Sequence, residues 1–274
     1  MSIKTILLHM AHDAVRADRL SLAVDLAREH DAHLEVAVIA VPVITPAAIA
    51  GRAAAVGYIG DTREIAEKRT ATVQAEVEEA CNAAGISWNA QTLGEDEQKG
   101  LARLSHCADL LVVSEREGLI PEDYIGLHNP DAILTTASCP VLIVPREGRP
   151  ARAGSRVLIA WKDNRESSRA VRDGMPFICN ADKVYLLTGD PARHRFESGK
   201  QIMAFLQRHG VEAEAVSDVG NDHFGEVVLS YAKDLSVDLV VMGAYSTSRW
   251  REVLFGGATH EVLSGMTLPV LMSH

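Results

Sequence analysis

The sequence predicts an α/β protein made of two tandem, doubly wound, five-stranded parallel-sheet domains. Three observations carry this: an internal repeat, strand–helix alternation within each copy, and a linker between them. Ala108-Asp109-Leu110-Leu111-Val112-Val113-Ser114 recurs as Val237-Asp238-Leu239-Val240-Val241-Met242-Gly243. Cys139-Pro140-Val141-Leu142-Ile143-Val144 recurs as Leu268-Pro269-Val270-Leu271-Met272-Ser273. Asp109 and Pro140 stand 31 positions apart, and so do Asp238 and Pro269. Such periodicity marks duplicated supersecondary units. The starts match too, Thr5-Ile6-Leu7-Leu8-His9-Met10 with Arg156-Val157-Leu158-Ile159-Ala160-Trp161.

In the first copy, short β-branched runs predict strands near 3–10, 34–41, 86–92, 109–113 and 141–144. Leu20, Ala23, Val24 and Ala27 form one helical stripe. Val73, Val77, Ala80, Cys81 and Ala84 form another, ended by Gly85. Pro42 to Gly60, rich in Pro, Gly and small residues, reads as an inserted surface loop, with a lid over a crevice as its functional alternative. Residues 145–154, rich in Pro, Gly and Arg, read as the linker, so the domains are placed at 1–147 and 154–274. The second copy predicts strands near 156–161, 183–188, 212–217, 238–242 and 269–272. Its helices carry Ile202, Phe205, Leu206 and His209 before Gly210, and Phe224, Val227, Val228, Tyr231, Ala232 and Leu235. Near-continuous apolar strands between helices mean a parallel sheet covered on both faces.

Length and charge narrow the function. A chain of 274 residues is long for one core and suits two domains. With 27 Lys and Arg against 37 Asp and Glu, the formal charge of −10 disfavours general binding to nucleic acid or anionic lipid. No apolar run reaches the roughly 20 residues of a membrane span. The start, Ser2-Ile3-Lys4-Thr5-Ile6-Leu7-Leu8-His9, reads as a strand rather than a signal peptide. Cys81, Cys107, Cys139 and Cys179 are widely spaced and form no metal-ligand pair. A cytoplasmic protein is the expectation.

In an open parallel sheet, ligands bind beyond the carboxyl ends of the strands, where the strand order reverses. In the second copy those ends are Trp161-Lys162-Asp163-Asn164 and the stretch opening at Gly243. There Gly243 lacks a side chain, and Gly256-Gly257-Ala258-Thr259 opens a helix whose amides and Thr259 hydroxyl suit a phosphate. A tight turn with Thr259 satisfying the helix start is the purely structural reading of the same residues. His9, His12 and Asp13 cluster near a strand end, but a metal would need a further ligand such as His128. Ser114 and Ser246 lack the setting of a serine nucleophile.

On these residues the chain resembles a tandem universal stress protein. Nucleotide-binding members of that family carry G-x2-G-x9-G-[S/T] after the fourth strand. Here the pattern reads Gly243, Ser246, Gly256 and Gly257. Ser246 replaces the second glycine and Gly257 the hydroxyl residue, so the hydroxyl contact passes to Thr259. The family's Asp after the first strand is Lys162 here, with Asp163 next to it. In the first copy the aligned residues are Ser114, Glu117, Leu127 and His128, with Ala11 in the Asp slot. Glu115, Glu117, Glu122 and Asp123 add negative charge, so that copy is not expected to bind ATP.

The resemblance implies the adenine nucleotide alpha hydrolase-like fold and a stress-response binding and regulatory protein. ATP or another adenine nucleotide would bind in the C-terminal domain through Lys162, Gly243, Ser246, Gly256, Gly257 and Thr259. No metal is expected beyond nucleotide-bound Mg, no residue set marks a catalytic centre, and at most weak ATP hydrolysis is expected. It also implies that Val141–Val144 and Val270–Met272 pair with each other as an internal pseudo-dimer, with further homo-oligomers open. The alternative is a ligand-free dimerising adaptor or chaperone-like protein with both sites decayed. A nucleotidyl-transfer enzyme is disfavoured, because no H-I-G-H or K-M-S-K-S segment is present.

Overall fold

The computed structural model describes residues 2–39, 52–94, 96–115, 130–148, 152–188, 193–217, 223–245 and 257–274. The chain divides into two compact units, Ile3–Ser138, and Met1–Ser2 with Cys139–His274.

The first unit alternates β1 (Thr5–Met10), α1 (Arg16–His30), β2 (His33–Ile39), α2 (Arg52–Ala84), β3 (Trp88–Leu93), α3 (Glu97–Leu104), β4 (Leu110–Ser114) and α4 (Pro130–Thr136). Its strands lie in the order β3-β2-β1-β4, all parallel, with Thr5 opposite His33, Leu34 opposite Trp88 and Ile6 opposite Leu110. The change of direction in this order falls between β1 and β4. Ile6, Leu7 and Leu8 are all buried although successive strand residues face opposite sides of the sheet, as a strand covered on both faces requires, and Leu22, Ala23 and Leu26 of α1 are buried too. Gly85 ends α2 with φ +66, the left-handed closure that a glycine allows without strain.

One element differs from its sequence reading. Residues 52–60, expected in a loop, are helical and open α2. Each glycine costs a helix about 1 kcal/mol relative to alanine. Ala53–Ala55 and the long helical run that follows outweigh Gly57 and Gly60, because adding a turn to an existing helix is far easier than nucleating one. Residues 42–51 lie outside the described residues.

The second unit contains β5 (Val141–Val144), β6 (Arg156–Trp161), α5 (Arg165–Asp173), α6 (Met175–Ile178), β7 (Lys183–Thr188), α7 (Arg193–Arg208), β8 (Ala213–Ser217), α8 (Phe224–Asp234), β9 (Leu239–Gly243), α9 (Ala258–Gly265) and β10 (Val270–Ser273). The order β8-β7-β6-β9-β10 is parallel and repeats the third-second-first-fourth order of the first unit. β5 and β10 pair antiparallel, with Val141 opposite Met272 and Ile143 opposite Val270. This is the pairing that the family resemblance implies for the two short, uncharged strands. It also places β5 in the second unit, so the units hold four and six strands among the described residues.

The repeated aspartates do the same work in each unit, at the strand ends away from the crevice. Asp109 accepts the backbone N–H groups of Lys4 at 2.8 Å and Thr5 at 2.9 Å. Asp238 accepts those of Gly154 at 3.0 Å, Ser155 at 3.1 Å and Arg156 at 2.9 Å. Each carboxylate fastens the first strand of its unit to the fourth.

Candidate functional site

The crevice residues of the second unit come from two strand ends and two helix starts. After β6, Lys162 is exposed, and its backbone N–H meets Ser167 Oγ at 3.3 Å. Asn164 caps α5, its side-chain oxygen accepting the Ser167 N–H at 2.8 Å. Trp161 is buried at the end of β6.

After β9, Ala244 extends the ladder by donating its N–H to the Ser273 carbonyl at 2.9 Å. His274 Nδ1 lies 3.0 Å from the Ala244 carbonyl. Tyr245 has φ +49, an uncommon backbone state for a bulky residue. Its N–H donates to Thr259 Oγ1 at 3.2 Å, which ties the end of β9 to the first turn of α9. Thr259 is buried. Among the described residues its hydroxyl is bonded to the Tyr245 N–H rather than to an amide of α9. The α9 cap, Gly257, makes no side-chain hydrogen bond to the helix.

Gly243 answers to a different neighbour from the one its sequence suggested. A Cβ there would stand 2.5 Å from Ser167 N, 2.6 Å from Glu166 C and 2.9 Å from Glu166 Cβ. The missing side chain thus admits the first turn of α5 onto the strand end. Ser246 and Gly256 lie outside the described residues, as do Arg249, Trp250 and Arg251. Of the proposed pocket, Lys162, Gly243, Gly257 and Thr259 are described, and the Thr259 hydroxyl links two of the segments that carry them.

Three further residues border this region without a sequence signal. Glu166 is buried in the first turn of α5, and Arg165 meets its Oε1 at 3.1 Å. Glu261 on α9 accepts the Gly225 N–H at 2.9 Å and lies 3.0 Å from His223 Nδ1, so it caps α8. At Gly225 a Cβ would meet Ala258 O at 2.7 Å, so α8 and α9 pack almost backbone to backbone.

The first unit presents a different arrangement at the matching strand ends. His9 is buried, and its Nε2 lies 2.6 Å from Glu97 Oε1. Asp13 is drawn to Arg19 instead, at 2.6 Å, so His9, His12 and Asp13 are not gathered as one ligand set. Among the described residues, no group of three or more His, Cys, Asp or Glu side chains is placed to hold a metal ion. No described helix is long and apolar enough to cross a membrane. Glu117, Leu127 and His128 lie outside the described residues. Arg19 had one signal in the sequence: it shares the helical spacing of Leu22, Ala23 and Leu26, a pattern that buries it. Glu97, 88 positions from His9, had none.

Comparison with known proteins agrees with this architecture. Residues 180–274 match the universal stress protein family. A universal stress protein of Synechocystis sp. is 36% identical in a 177-residue alignment that covers 60% of this chain. The match covers 57% of that relative's length. Among solved structures, a universal stress protein from Archaeoglobus fulgidus DSM 4304 superposes with a TM-score of 0.75 at 16% identity, over 98% of this chain and 95% of its own. One from Pseudomonas aeruginosa UCBPP-PA14, assigned to the same group, gives 0.61 at 15% identity over 99% and 93%. At these identities the likeness is one of fold.

Proposed function

We propose that this chain, which carries a universal stress protein domain at residues 180–274, is a cytoplasmic stress-response protein that binds and senses an adenine nucleotide in its second unit. One observation carries the reading. The Thr259 hydroxyl accepts the Tyr245 N–H, and the α9 cap, Gly257, has no side chain with which to close the helix start. A helix start opened by glycine offers backbone amides and the positive end of its dipole to an anion. While it accepts the Tyr245 N–H, the Thr259 hydroxyl keeps its own proton to donate to such a ligand.

In this reading Gly257 and Thr259 hold phosphate oxygens together with Ser246 and Gly256, and Lys162 supplies the positive charge. Gly243 acts indirectly, by letting α5 seat beside the pocket. Bound nucleotide would bring its own Mg. The chain's residues bind and orient the ligand, and none is assigned a chemical step.

Calorimetry on the full chain with ATP and AMP tests this. ATP is expected to bind at one site per chain, with binding abolished in Gly256→Asp. Thr259→Val, which keeps the shape and removes the hydroxyl, is expected to weaken it about tenfold, the effect of losing one hydrogen bond to a charged group. Heat signals absent with every nucleotide would overturn the proposal. The filled space beside Gly243 favours one second reading, a ligand-free adaptor that self-associates, and that outcome would bring it forward.

A further inference from the structure

We propose that the first unit closes its own strand-end crevice with Arg19, whose guanidinium takes the position a ligand would occupy. The order β3-β2-β1-β4 puts the point of reversal between β1 and β4, where an open parallel sheet splays and receives ligands. Arg19 spans that point. Its Nε donates to the His9 carbonyl of β1 at 2.7 Å, and its Nη1 donates to Ser114 Oγ, the last residue of β4. Its Nη2 donates to Asp13 Oδ2 at 2.6 Å. The Arg19 side chain is wholly buried and that of Asp13 is 3% exposed, so the charges are matched inside the protein.

Asp13 is itself fixed, because its Oδ1 accepts the Val15 N–H at 3.1 Å. The planar guanidinium fork meets acceptors on two strands and one loop at once, a geometry that lysine does not reproduce. The aligned positions of the second unit carry no such group. The spacing that aligns Thr5 with Arg156 sets Asn164 and Ala170 at the places of Asp13 and Arg19. The spacing that aligns Ala108 with Val237 sets Gly243 at the place of Ser114. All three partners are thus absent together.

The first unit therefore holds a guanidinium-binding site filled from its own chain. Emptying it exposes the Asp13 carboxylate, so the vacated site takes a guanidinium-class cation and repels phosphate. This holds whether or not the second unit binds a nucleotide.

The test is thermal unfolding of the full chain with and without millimolar N-ethylguanidinium, against ethylammonium and sodium chloride at equal ionic strength. Arg19→Ala is expected to lower the melting temperature of the affected transition by roughly 10 °C. N-ethylguanidinium should restore several degrees of it by binding the native state, where the other two salts should not. The wild type and the double variant Asp13→Asn/Arg19→Ala should show no such rescue. Unchanged melting of Arg19→Ala, or equal responses of the single and double variants, overturns the proposal. If Arg19→Ala does not fold, Ser114→Ala and Asp13→Asn decide by the same melting comparison. Both lowered supports the plug, and either one unchanged overturns it.

Discussion

At the scale of single residues, two positions show how backbone shape and burial set chemistry. Gly148 has φ +103, and a Cβ there would stand 2.0 Å from the Thr267 carbonyl oxygen. The end of β5 is therefore seated against the turn before β10, where the sequence suggested only linker. Gly148→Ala is expected to destabilise its unit by roughly 3 kcal/mol, read from urea unfolding, since it combines left-handed strain with a backbone clash. Cys81 is the second case. Burial pushes its thiol up to about 11, while Cys107 and Cys179 are exposed. A thiol-reactive reagent at pH 8 should label Cys107 and Cys179 in the native protein, and Cys81 only after unfolding. Rapid native labelling of Cys81 would contradict its placement on the buried face of α2. The raised value also has a stability sign. The contribution is whole below the unfolded thiol's value and is lost as pH rises through the folded one.

At the scale of elements, the carboxylates repeated with the sequence motif are the joints of each unit. Asp238 holds three backbone donors at the start of β6, and these are part-buried. Asp238→Ala leaves them without their acceptor and is expected to cost about 2–4 kcal/mol in urea unfolding. Asp238→Asn, which keeps one acceptor oxygen, should cost about half as much. Asp109→Ala should cost less than Asp238→Ala, because its two donors are exposed and water can replace the carboxylate. Equal effects at the two sites would show that solvent access is not what separates them. The strands themselves were readable from the sequence to within two residues, because most are apolar runs rich in β-branched residues; β3 and β8, at the edges, are more polar. α2 was readable only from Val73 onward. Its buried stripe of Val73, Val77 and Cys81 begins there, and residues 64–72 include no buried side chain to mark a period.

At the scale of the molecule, stability should depend on pH through contacts between helices. Arg16 on α1 grips Glu76 on α2 with Nε at 2.8 Å and Nη2 at 2.9 Å. The Arg16 hydrogen bonds hold the Glu76 carboxyl below its ordinary value of 4.5, against a smaller opposite push from burial. A depressed carboxyl stabilises the fold above its unfolded value, and that gain is lost as pH falls through the folded one. The difference in unfolding free energy between wild type and Glu76→Gln should thus be constant near neutrality and shrink below about pH 4.5. A difference that stays the same down to acid pH would rule out this ion pair as its source. The sequence by itself determined the duplication and the strand–helix alternation, because periodicity and apolar runs are local properties of the chain. The pairing of Val141–Val144 with Val270–Met272 came from the family resemblance. Only the tertiary structure decided that Asp13 turns to Arg19 rather than to His9 or His12, that Glu97 meets His9, and that Gly243 makes room for α5. Those contacts join residues that are remote in sequence or compete for one partner, and their free energy depends on burial that no single segment encodes.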